Sequence, residues 1–140
     1  MEAFLTDGLR SLTSIPATSM GEYTVRWPGH IQRYQSTNLN PDELVEAWRY
    51  DPNRPEFTWM EVAIEVEGKR IVWTVEDGGK DGDSSMARST GLVTAACVMA
   101  WCATELFTEG IHPPEDLPTE VIHDVIQCLK EAGVSVLSSG

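Results

Sequence analysis

Met60-Glu61-Val62-Ala63-Ile64-Glu65-Val66-Glu67-Gly68-Lys69-Arg70-Ile71-Val72-Trp73-Thr74-Val75 is the stretch whose reading decides the fold. Met60, Val62, Ile64 and Val66 alternate with Glu61, Ala63, Glu65 and Glu67, and beyond Gly68-Lys69 the residues Ile71, Trp73 and Val75 alternate with Val72, Thr74 and Glu76. A period of two belongs to strands with unlike faces. Two such runs meeting at a glycine predict an antiparallel hairpin. A type II′ turn at Gly68-Lys69, with Gly68 at the positive-φ position, would pair Glu67 with Arg70, Val66 with Ile71, Ile64 with Trp73 and Val62 with Val75. Apolar side chains then face one way, while Glu61, Glu65 and Glu76 keep the other face wet. A slip of one residue would reverse every side chain, so the choice of face is strongly specified.

Outward from the hairpin, further strands are expected over Glu22–Trp27, stopped by Pro28-Gly29, and over Val134–Leu137. Asn40-Pro41-Asp42-Glu43 combines an N-cap, a proline at the first helical position and a glutamate three residues after the cap. It predicts a short helix to Arg49 with Leu44, Val45 and Trp48 inward. Asp83-Ser84-Ser85 offers caps for a long helix from Met86 to Phe107. Its middle, Leu92 to Ala103, is apolar on every side, which predicts a central buried helix. Thr119–Ala132 is amphipathic, with Val121, Ile122, Val125, Cys128 and Leu129 on one face and Gly133 ready to end it. The expected class is α+β: a mixed, largely antiparallel sheet with helices packed on one face.

The 140 residues suit a single domain spanning 1–140, with no repeat or linker to divide it. Acidic residues outnumber basic ones 22 to 10, a net charge of −12, and the isoelectric point is near 4.5. Such a balance argues against nucleic acid and against anionic membrane surfaces, both of which need clustered Lys and Arg. The uncharged stretch Ser89–Thr104 is short for a membrane span, and Met1-Glu2-Ala3-Phe4 lacks the basic start of a secretion signal. Three cysteines without CxxC spacing fit reduced thiols. A cytoplasmic location is the expectation. Glu2 to Leu9 enters structure at once, as though the chain were a piece of a longer one.

No GxGxxG follows a strand, and Gly78-Gly79-Lys80-Asp81 lacks the spacing and the Ser or Thr of a phosphate-binding loop. Asp77, Asp81 and Asp83 do not follow the calcium-loop pattern and read as a solvated connector. His30, His112 and His123 are too scattered for a zinc pair. Two segments rise above ordinary packing. Arg26-Trp27-Pro28-Gly29-His30 ends a strand with a cation, an indole and an imidazole. Its plainer reading is a structural turn, with Arg26 ion-paired and His30 at a helix start. Ser84-Ser85-Met86-Ala87-Arg88-Ser89-Thr90-Gly91 gathers hydroxyls and a guanidinium at a helix N-terminus, where free N–H groups and the helix dipole favour a carboxylate. Its plainer reading is N-capping beside a surface arginine.

These segments carry a family resemblance. Glu2-Ala3-Phe4-Leu5-Thr6-Asp7-Gly8-Leu9-Arg10, Tyr23-Thr24-Val25-Arg26-Trp27-Pro28-Gly29-His30 and Ser85-Met86-Ala87-Arg88-Ser89-Thr90-Gly91, with His112-Pro113-Pro114-Glu115 before the last helix, resemble in order the C-terminal part of saccharopine dehydrogenase-like proteins, lysine 6-dehydrogenase among them. Trp27 stands where that family has Tyr or Phe, and Ser89 where Thr is commoner. The resemblance implies an α+β domain that binds an amino-acid substrate and forms a homodimer. It also implies a parent enzyme whose N-terminal Rossmann domain binds NAD or NADP, so no cofactor site is expected in this chain. Under it, Arg26, Ser85, Arg88 and Thr90 would orient substrate carboxylates and His30 would relay the proton released as an imine forms. Two other readings stay open: a stand-alone ligand-binding or interaction module without catalysis, and part of a carboxynorspermidine dehydrogenase-like enzyme. The hairpin face bearing Ala63, Val72 and Thr74, in a chain with five tryptophans, is expected to be partly covered in the dimer.

Overall fold

A computed structural model of the chain describes residues 1–103 and 109–140. Helices combine with two small antiparallel sheets in an α+β fold. The chain divides into two compact units, Met1–Tyr50 and Asp51–Gly140.

In the first unit, β1 (Glu2–Thr6) pairs antiparallel with β2 (Glu22–Arg26), Glu2 opposite Arg26 and Thr6 opposite Glu22. Pro28-Gly29 stops β2 as the sequence predicts. Gly29 takes φ +81° as the N-cap of α1 (His30–Ser36), a conformation that glycine enters without strain. In α2 (Pro41–Ala47) the predicted capping box is complete: the Glu43 N–H donates to Asn40 Oδ1 at 3.0 Å and the Asn40 N–H to Glu43 Oε2 at 3.0 Å. The helix stops at Ala47. Leu44 is half-buried, but Val45 and Trp48, expected inward, remain exposed. No residue of this unit is fully buried.

In the second unit, β3 (Phe57–Val66), β4 (Lys69–Gly78) and β5 (Ser135–Ser139) form a sheet in the order β3-β4-β5, antiparallel throughout. The hairpin is the predicted one, but its register is shifted by two. Val66 faces Lys69, Ile64 faces Ile71, Val62 faces Trp73 and Met60 faces Val75. The turn is Glu67-Gly68, at φ +52° and +75°. Two successive positive φ values make a type I′ turn, whose twist suits a hairpin better than unprimed turns do. A shift of two leaves every side chain on its predicted face, so the alternation pattern does not discriminate between these registers.

Two helices cover the face that bears Val75 and Val136. They are α3 (Ser85–Ala103) and α4 (Thr119–Glu131). Val121, Val125 and Leu129 lie one turn apart on α4 and join Ala96 of α3 and Val134 in the core, with Leu92, Cys97, Ala100, Leu117 and Cys128 against it. Helix α4 ends in a Schellman motif: Gly133 at φ +89°, its N–H bonded to Lys130 O and the Val134 N–H to Leu129 O. The expectation that fails is burial of α3. Of its residues only Ser85 and Ala96 are buried, while Val93, Val98, Met99 and Trp101 are exposed. One side packs on α4 and touches the sheet, while Val93, Val98 and Met99 keep a large share of their surface accessible. By length and composition α3 is apolar enough to cross a membrane. The predicted final turn, 104–107, lies outside the described residues.

Candidate functional site

The candidate residues fall into two groups, one in each unit. In the first, the sharp turn after β2 is held from the neighbouring strand: the Gly29 N–H donates to Glu2 Oε1 at 2.9 Å, and the His30 N–H to Trp27 O at 3.1 Å. Glu2 thus supplies the carboxylate that a helix N-terminus favours. His30 opens α1 with its ring half-buried, 5.0 Å from the ring of Trp48 and tilted by 56°. Tyr34, one turn on, lies 6.1 Å from the same indole. Trp48 also lines a shallow, mainly apolar hollow of about 520 Å³ with Leu44, Val45, Arg49 and Tyr50. Arg26 is exposed, and its guanidinium donates to the neighbouring carbonyl, Val25 O, at 3.0 Å. Among the described residues it makes no ion pair, so its charge is available to an anion.

The second group is built around the start of α3, and its donors are already in use. Glu56, just before β3, reaches the helix mouth. The Ser85 N–H donates to Glu56 Oε1 at 2.6 Å and the Ser85 hydroxyl to Glu56 Oε2 at 2.6 Å. Since that proton is spent, the contact between the Thr58 and Ser85 hydroxyls, 2.7 Å, has Thr58 as donor. Ser85 is fully buried. These bonds, the side-chain one first, hold the Glu56 carboxyl below its ordinary pKa, because they favour the charged form. The carboxylate at the mouth of α3 is therefore the chain's own, Glu56, and not the substrate group expected there from the sequence. Gly79 makes room for it: a Cβ there would lie 2.6 Å from Glu56 Oε1 and 2.7 Å from Asp83 O. The Ser84 hydroxyl accepts the Ala87 N–H at 3.2 Å and completes the cap.

Arg88, one turn further, is bidentate to Asp77 of β4, at 3.1 and 3.3 Å, and donates at 3.1 Å to Ala132 O at the end of α4. Asp77 is 4% exposed. Hydrogen bonding to Asp77 raises the Arg88 pKa above its ordinary value. One guanidinium thus ties β4, α3 and α4 together and satisfies a helix-end carbonyl. Thr90 is exposed, its hydroxyl 3.8 Å from the Met86 sulfur. Neither Glu56 nor Asp77 was legible as a partner. Glu56 lies 29 residues before Ser85, and Asp77 reads by sequence as one of three loop aspartates. Only the β3–β4 pairing brings them to the helix mouth.

Lys80 and Asp83 close a tight turn through Asp81 and Gly82, at φ +56° and +92°, which gives the acidic connector a defined shape. Among the described residues no group of His, Cys, Asp and Glu has the arrangement of a metal site. The described residues do not fit a nicotinamide dinucleotide either. Every strand pairing among them is antiparallel, so they contain no βαβ crossover, and the helix mouths after β2 and β4 each already hold a carboxylate, Glu2 and Glu56, which would repel a pyrophosphate. Compared with known proteins, the chain matches no protein-family model and no curated protein.

Proposed function

We propose that this chain is the substrate-binding and dimerisation domain of an NAD(P)-dependent oxidoreductase acting on a C–N bond of an amino acid, of the saccharopine or lysine dehydrogenase kind. The observation that carries the reading is the succession of the motifs at Glu2–Arg10, Tyr23–His30 and Ser85–Gly91, with His112–Glu115 before the last helix, in the family's order along nearly the whole chain. Hydride transfer to the nicotinamide would belong to a nucleotide-binding domain outside this chain. The residues here bind and orient. Arg26, exposed and without a carboxylate partner among the described residues, takes a substrate carboxylate. His30, half-buried against Trp48, accepts the proton released as the imine forms. Thr90 offers a hydroxyl. Ser85 and Arg88, whose donors serve Glu56 and Asp77, contribute by fixing the mouth of α3.

That internal commitment of Ser85 and Arg88 also favours a second reading, a ligand-binding module that keeps this fold without catalysis. Titration of the 140-residue chain with saccharopine and with lysine, followed by amide NMR, tests both. Shifts confined to Tyr23–His30 that vanish in Arg26→Ala are the expected result. Absence of any shift at millimolar ligand would sink the substrate-binding role of this chain. Catalysis is tested separately, by joining the chain to a nucleotide-binding domain and following NADH or NADPH absorbance with each amino acid: binding without turnover supports the module.

A further inference from the structure

Strand β3 is an open edge. The sheet order β3-β4-β5 gives it β4 on one side and, among the described residues, no strand on the other. It is ten residues long, and its register against β4 runs unbroken from Phe57 to Val66. Protected edges carry prolines, charges (lysine above all), bulges or short strands; β3 has no proline, lysine or bulge, and its only charges are Glu61 and Glu65. Its apolar row is exposed as well: Met60, Val62, Ile64 and Val66 remain 50%, 45%, 43% and 57% accessible, although they share a face with the core residue Val75.

We propose that β3 is the contact with a second copy of this chain, pairing antiparallel with its own symmetry mate about a two-fold axis at Val62, so that two three-stranded sheets become one of six. Backbone direction and charge select this arrangement. A two-residue hairpin turn closes on a hydrogen-bonded pair, here Val66 and Lys69, so even-numbered β3 residues bond to β4 and odd-numbered ones point their N–H and C=O groups outward. A two-fold axis normal to the sheet keeps like faces together, so it passes through a residue. At Glu61 it would set Glu61 against itself, and at Ala63 it would set Glu61 against Glu65, like charges directly opposed. At Val62 the pairs are Glu61 with Ala63 and Trp59 with Glu65 on one face. On the other, Val62 meets Val62, Met60 meets Ile64 and Thr58 meets Val66. No like charges oppose each other, the uncharged rows join, and the overlap uses the whole strand. A closed two-fold contact of this kind also consumes the edge and cannot propagate.

The inference deepens the dimerisation half of the proposed function and is independent of the oxidoreductase half. Light scattering on the eluted 140-residue chain is expected to give twice 15.5 kDa. Ala63→Pro removes an outward-facing N–H while sparing the ladder to β4, and is expected to yield a folded monomer by circular dichroism. Val62→Cys tests the register even if that variant fails to fold. Facing residues at a non-hydrogen-bonded position lie about 4.5 Å apart at Cα, within disulfide range, so mild oxidation should join two chains through position 62, as peptide mass spectrometry reads. A monomeric wild type refutes dimerisation altogether. A dimer that does not cross-link at position 62, or that survives Ala63→Pro in folded form, leaves dimerisation standing and refutes the β3 edge.

Discussion

Glu67 is the most strained side chain in the hairpin, because φ +52° places a residue with a Cβ where glycine, asparagine or aspartate is usual. Glu67→Asn is therefore expected to stabilise the protein by about 1 kcal/mol, measured by urea unfolding, from relief of that left-handed cost. The reverse holds at Gly79, whose missing Cβ is what admits Glu56 and the Asp83 carbonyl. Gly79→Ala must push one of them aside, so it is expected to lower the melting temperature and to loosen the Ser85 cap. Glu56 itself carries a pH signature. Its carboxyl sits below its ordinary value of 4.5 in the folded chain. The unfolded chain therefore takes up its proton first on acidification, and the stability gained from the charged form is complete above about 4.5 and lost as pH falls through the lower folded value. Stability profiles of wild type and Glu56→Gln are expected to run parallel above pH 5 and to converge in acid.

At the scale of elements, α4 is where sequence and structure agree most closely, since three valine and leucine positions a turn apart plus a terminal glycine define both its buried face and its end. Val121 is 1% exposed, and Val121→Ala is expected to cost about 2 kcal/mol in urea unfolding through lost burial and an unfilled cavity. The β3–β4 hairpin was legible in its faces and not in its pairing, because alternation has a period of two and is blind to a shift of two. What decides the register is the turn, and the turn depends on Glu67 accepting a conformation that its residue type disfavours. Helix α3 misleads in another way. Apolar residues all round predict burial, but composition says nothing about whether a neighbour exists to cover each side. Among the described residues α4 packs on one side, and Val98 and Met99 stay exposed. The Arg88–Asp77 pair likewise needs the finished sheet, as nothing in their spacing marks them as partners. Arg88→Ala leaves Asp77 buried without its counter-charge and is expected to lower the melting temperature more than Arg88→Ala in an Asp77→Asn background, a coupling that a double-mutant cycle measures.

For the molecule as a whole, charge and exposed apolar surface pull against each other. A net charge of −12 makes two copies repel at long range, while the β3 edge and its uncharged row attract at contact. Added salt screens the first and leaves the second, so the dimer constant is expected to rise as sodium chloride increases from about 0.05 to 0.5 M, followed by sedimentation equilibrium. A fall with salt would mean that ion pairs, not strand pairing, hold the copies. The Glu56 clasp has its own consequence for motion. It fastens the approach to β3 onto the first turn of α3 across the whole β3–β4 ribbon, so the ribbon is a noose with a knot at its neck. Fraying at either side of the knot frees the other, and amide exchange at Thr58 and at Ser85 should quicken in step when the knot is cut by Glu56→Ala.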